Sequence, residues 1–78
     1  MNQETKDARK RLKEATRAEF ERLLYEAMLT PSQDRAVRLH IAEDVSVAII
    51  AMRLSCSEAA VRKRLTEAYE KVAKVQLF

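Results

Sequence analysis

The 78-residue chain contains no glycine and a single proline. Sheets and hairpins need turn residues of these kinds, so their scarcity argues against β structure. Ala, Glu, Lys, Arg and Leu dominate instead, all of them good helix formers. One cysteine excludes an internal disulfide, and one histidine beside it offers no metal cluster. The lone thiol fits a reducing, cytoplasmic setting. No apolar run approaches the roughly 20 residues that span a bilayer. The first residues are charged and polar, so no secretory signal is expected. Paired carboxylates, a nucleophile with its base and a phosphate loop are all missing, so no enzyme and no cofactor is expected.

What is present is a small, charged, helical chain. Lys and Arg number 15 against 12 acidic residues, giving a net charge of +3 and an isoelectric point near 9.3. That balance suits an anionic partner without proving one. The length allows one small core. The expected fold is all-α, a small bundle of about four helices.

Residues 1–18 carry Lys6, Arg9, Lys10, Arg11, Lys13 and Arg17 among Glu4, Asp7 and Glu14. Leu12 is their only large apolar residue after Met1. From Phe20 onward Leu23, Leu24, Ala27 and Met28 recur at helical spacing. A first helix over about 5–29 is predicted, its N-terminal half mostly solvated. The division expected is a charged helical extension over 1–18 and a folded domain over 19–78. Three readings of the extension are open: a solvated helix, a basic arm on DNA, or part of a dimer contact.

Thr30-Pro31-Ser32-Gln33 is a helix start. Thr30 can cap, Pro31 suits the first helical position, and Gln33 completes a capping box. The second helix carries Ala36, Val37, Leu39, His40 and Ile41. After Glu43-Asp44-Val45, Ser46 caps a short third helix with Ile49, Ile50 and Leu54 as its inner stripe. Ser57 caps a fourth helix, whose Val61, Leu65, Ala68 and Val72 share one face.

Two short helices around the break at Ser55-Cys56-Ser57 have the layout of a helix-turn-helix. The second turns basic at Arg62, Lys63 and Arg64. A groove-reading helix needs an apolar inner face, small or polar outward side chains, and flanking cations. With Val61 and Leu65 inward, Glu58, Ala59, Arg62, Lys63 and Thr66 face away. Ala59 can approach a thymine methyl, and Arg62 or Lys63 can bond guanine. Arg64 lies nearer a phosphate, and the helix starts at Ser46 and Ser57 offer phosphate donors. Glu58 repels phosphate but can accept from a cytosine amino group.

The stretch from Leu29-Thr30-Pro31-Ser32-Gln33 through Glu43-Asp44-Val45-Ser46, Ile50-Ala51-Met52-Arg53-Leu54, Ser55-Cys56-Ser57, Val61 and Leu65 resembles the helix-turn-helix of sigma-factor region 4. It equally resembles that of LuxR-type regulators. The resemblance covers residues 18–73 and implies a DNA-binding helix-turn-helix with the helix from Ser57 in the major groove. Both glycines of the pattern are replaced, by Asp44 and Ser55. Where the turn takes positive φ, a non-Gly residue costs on the order of 1 kcal/mol. Either the turn is altered or the chain carries that strain. Cys56 occupies a turn slot that is usually Ile or Val, and is expected to be a small core residue.

Met28 and Met52 are expected in the core, His40 at the helix surface or boundary, and Tyr25 and Tyr69 along the core edge or on phosphate. The apolar tail of Val72, Val75, Leu77 and Phe78 folds back on the first helix or forms a homodimer seam. The expected function is sequence-specific DNA binding by a transcriptional regulator acting on double-stranded DNA. As a dimer it would read half-sites about 34 Å apart. The alternative is a module of the same fold that binds RNA polymerase or a sigma factor.

Overall fold

A computed structural model describes residues 3–75. Five α-helices follow in order: α1 (Gln3–Glu14), α2 (Arg17–Ala27), α3 (Pro31–Val37), α4 (Val47–Arg53) and α5 (Glu58–Ala73). A single π-helical turn, Arg38–Ala42, continues α3. No strand occurs among the described residues. The all-α expectation holds, with five α-helices in place of about four.

The predicted continuous helix over 5–29 is in fact two helices, broken at Ala15-Thr16. Thr16 takes an extended conformation as N-cap of α2. Its hydroxyl accepts from the Glu19 amide at 3.2 Å, and the Glu19 carboxylate accepts from the Thr16 amide at 3.3 Å. This reciprocal box satisfies two amides of α2 that a helix start otherwise leaves unpaired. The break lets α1 fold onto α5. Thr5, Ala8 and Leu12 are buried there, so the N-terminal segment is not mostly solvated.

The boxed start at Thr30 is present, with Gln33 and Thr30 bonded at 3.2 and 3.1 Å. Gln33 is buried, and its side-chain oxygen also accepts from Lys71 Nζ at 2.8 Å, which ties α3 to α5. Arg38 donates to both oxygens of Glu21 at 2.6 and 2.9 Å, and also to Asp34. That fork clips the π turn to α2. The pair holds Glu21 below the usual carboxylate range, chiefly through the hydrogen bond from Arg38.

The long α5 is the axis of the bundle. It buries Val61, Leu65, Ala68, Tyr69 and Val72 against the other helices. Phe20, Leu23, Leu24 and Ala27 of α2, Ala36 and Val37 of α3, and Ile50 and Ala51 of α4 complete the core. Tyr69 is fully buried, and its hydroxyl lies 2.7 Å from His40 Nδ1. Tyr69 therefore belongs to the core rather than its edge, and burial raises its pKa well above the usual phenol value. His40 is a half-buried boundary residue.

Several apolar residues lie elsewhere than expected. Met28 and Met52 are 82% and 79% exposed, not core, and Tyr25 is 81% exposed. Met28 sits at the left-handed C-terminal turn of α2, φ 54°, and its amide donates to the Tyr25 carbonyl. That backbone role turns the side chain outward. In α4 the inner face is Val47, Ile50 and Ala51, continued by the C-cap Leu54, so Ile49 is 46% exposed and lies outside the stripe. A seven-residue helix has room for one inward row only. Val75 packs on the core, and its carbonyl accepts from Arg11 at 3.0 Å. Up to Val75, then, the tail lies against α1. Leu77 and Phe78 lie outside the described residues.

Candidate nucleic-acid interface

The turn between α4 and α5 is built by a left-handed residue. Ser55 has φ 54°. Its amide donates to the Met52 carbonyl at 3.3 Å, and the Cys56 amide donates to the Ala51 carbonyl at 3.0 Å. These two bonds are the Schellman closure of a helix, with serine in the position glycine normally fills. Asp44 behaves alike, with φ 52°, and the Val45 amide after it reaches back to the Leu39 carbonyl at 2.9 Å. Of the two outcomes left open by the missing glycines, the turns keep their left-handed geometry and the chain bears the strain.

Ser46 and Ser57 cap α4 and α5, accepting from the Ile49 and Ala60 amides at 3.4 and 3.0 Å. Both are exposed. So are Glu58, Ala59, Arg62 and Lys63, on the first two turns of α5, while Val61 and Leu65 are buried. Arg62 pairs with Glu58 at 3.3 Å, an exposed one-turn ion pair that screens easily. Arg64 and Thr66 are half-buried. The Arg64 guanidinium is turned back onto the turn, donating to Cys56 Sγ at 3.2 Å. Cys56 itself is half-buried against the core, a packed turn residue as expected.

Thr66 and Arg62 share a concavity of about 370 Å³ with Val47, Leu65, Tyr69, His40 and Arg9. Arg9 comes from α1, a segment whose place in this surface sequence reasoning left undecided. The available signal was the spacing of Lys6, Arg9, Lys10 and Lys13, one helical face flanking that of Thr5, Ala8 and Leu12. The His40 imidazole feels this environment. Burial first, then the charges of Arg9 and Lys13, lower its pKa, while Asp44 pulls the other way.

A short helix and a long one, joined by a left-handed turn and with the second basic at Arg62, Lys63 and Arg64, form a helix-turn-helix. The family comparison agrees. Residues 25–72 match the model of sigma-70, region 4. The chain belongs to the sigma-70 region 4 family. The match spans more than half of the sequence and takes in the end of α2, α3, α4 and nearly all of α5. This family is a helix-turn-helix DNA-binding domain rather than a catalytic one, and its members bind DNA and RNA polymerase. No curated protein and no solved structure matches the chain significantly. Among the described residues no helix is long and apolar enough to cross a membrane.

Proposed function

We propose that this region 4 protein is a sequence-specific transcriptional regulator that inserts α5 into the DNA major groove. The reading is carried by one observation. Glu58, Ala59, Arg62 and Lys63 form an exposed face on the first turns of α5, directly after the Ser55 turn that angles this helix away from α4. In this reading Arg62 leaves Glu58 and donates to a guanine edge, and Lys63 does the same or meets the adjacent phosphate. Ala59 packs on a thymine methyl. Glu58, once released, accepts from a cytosine amino group. The hydroxyls of Ser46 and Ser57 keep their capping bonds and donate outward to phosphate oxygens. Thr66 contacts a base or sugar at the groove wall, and Arg64 gives a phosphate contact from its remaining nitrogens. A DNA-reading domain of this type works in the cytoplasm.

Selection of bound duplexes from a random pool, at low and moderate salt, tests the proposal. An enriched motif is the expected result, and a palindrome in it would identify a dimer. Salt-sensitive retention without enrichment would remove sequence specificity.

A second reading is a module that binds RNA polymerase or a sigma factor through the same fold. It is favoured by the exposure of Tyr25, Met28, Ile49 and Met52, large apolar groups that a purely DNA-directed surface does not need. Complete absence of retention on DNA, with capture by core RNA polymerase, would select it.

A further inference from the structure

A marked segregation of charge lies outside the region matched by the family. On α1, Lys6, Arg9, Lys10 and Lys13 fall at i, i+3, i+4 and i+7, one stripe of the helix. Glu4, Asp7 and Glu14 fall on another face with Arg11, whose guanidinium is engaged by the Val75 carbonyl. Asp7 is engaged by Gln3 at 2.9 Å. The buried face of Thr5, Ala8 and Leu12 fixes the rotation of α1 on α5, so the stripe cannot swing away from the bundle.

The four cations line one shallow concavity on their own. Arg9 also lines the concavity shared with Arg62 and Thr66 of α5. The basic surface is thus continuous from α1 to the outward face of the recognition helix. Lys6, Lys10 and Lys13 are exposed. Arg9 is half-buried, and its Nε is a buried donor without a hydrogen-bond partner among the described residues. A buried donor left without an acceptor is costly, and turning the guanidinium outward onto an anionic oxygen would relieve that cost. No carboxylate is among the residues lining either concavity.

We infer that Lys6, Arg9, Lys10 and Lys13 of α1 form a second contact with double-stranded DNA, gripping the phosphate backbone flanking the groove that α5 enters. This inference rests on the DNA-binding reading above and adds a segment that the family match does not cover. The contact is to phosphates alone. It raises affinity without reading sequence, because the stripe presents lysine ammonium groups to the backbone.

The test is the salt dependence of binding to the selected duplex and to random DNA. Lys6→Gln, Lys10→Gln and Lys13→Gln are combined in one variant, with the three Lys→Arg changes as a second. The changed residues are exposed, and circular dichroism with a thermal melt verifies that each variant is folded. Each lost phosphate contact lowers the log–log salt slope by about 0.9, so the glutamine variant should lose about 2.7 if all three lysines engage. Its deficit against the unaltered chain then shrinks by about 40-fold between 50 and 200 mM salt. The loss should be equal on both DNAs, and the arginine variant should restore the slope. An unchanged slope overturns the inference and leaves the recognition helix standing. A loss confined to the selected duplex also overturns it, since phosphate contacts carry no sequence information. No salt-dependent binding by the unaltered chain overturns this inference and the DNA-binding reading together.

Discussion

Replacing Ser55 by glycine should make this protein more stable. Ser55 holds φ 54° in the turn that joins α4 to α5. In that region the Cβ crowds the following carbonyl, at a cost of about 1–2 kcal/mol for an ordinary residue. Glycine removes the clash but has more freedom to lose on folding, which returns about 0.4–1 kcal/mol. Ser55 is exposed, so its hydroxymethyl contributes little packing. The net gain is about 0.5–1 kcal/mol, or roughly 4 °C in melting temperature for a domain of this size. The assay is urea unfolding followed by circular dichroism, with Ser55→Ala as the control. Alanine retains a Cβ and so keeps the strain. A shifted midpoint at unchanged slope for glycine only is the expected result. A glycine variant no more stable than the alanine variant would refute the strain argument. Met28→Gly should gain as much, since that exposed residue has φ 54° too. Asp44→Gly should gain less, because Asp tolerates the left-handed region better.

Arg62→Ala should weaken binding to the preferred duplex by about 1–3 kcal/mol and random DNA by less; equal loss on both would reassign Arg62 to a phosphate. Leu12→Ala should cost about 2–5 kcal/mol in chemical unfolding, because the fully buried side chain roots α1 in the core; a loss under 1 kcal/mol would mean that α1 is dispensable to the fold. His40 gives a pH signature. Its imidazole is half-buried beside Tyr69 and faces the charges of Arg9 and Lys13, which Asp44 only partly offsets, so its folded pKa lies below the unfolded value of about 6.5. The unfolded chain therefore binds the proton first on acidification. Stability is fully present above about pH 6.5 and is lost as pH falls toward the folded pKa. His40→Gln should flatten the stability profile just below about pH 6.5, a window above that of Glu21, whose carboxylate Arg38 holds low. An equally steep profile in the variant would clear His40 of the effect.

The parts legible in the sequence are those built from neighbours along the chain. The caps at Thr30, Ser46 and Ser57 each join a side chain to an amide three residues on, and all three are present. The row of Val61, Leu65, Ala68 and Val72 needs only helical geometry to share a face, and it is buried throughout. Those features carry the helix-turn-helix and the outward setting of Glu58, Ala59, Arg62 and Lys63. Thr16 and Glu19 formed a capping box that was equally local, yet strong helix formers on both sides masked the break. What only the tertiary structure decided depends on how each helix is rotated and where its partners lie. Residue type makes Met28, Met52 and Tyr25 candidates for the core, but their positions on α2 and α4 turn them to solvent. The bond between His40 and Tyr69 spans 29 residues of sequence, and that between Arg11 and Val75 spans 64. Leu12 is a single apolar residue in a charged segment, and it is buried because α5 presents an apolar face to α1. Local rules set helix starts and faces, since their energies act within one or two turns. The basic stripe of α1 joins the surface of α5 only after the whole core has fixed both helices against each other.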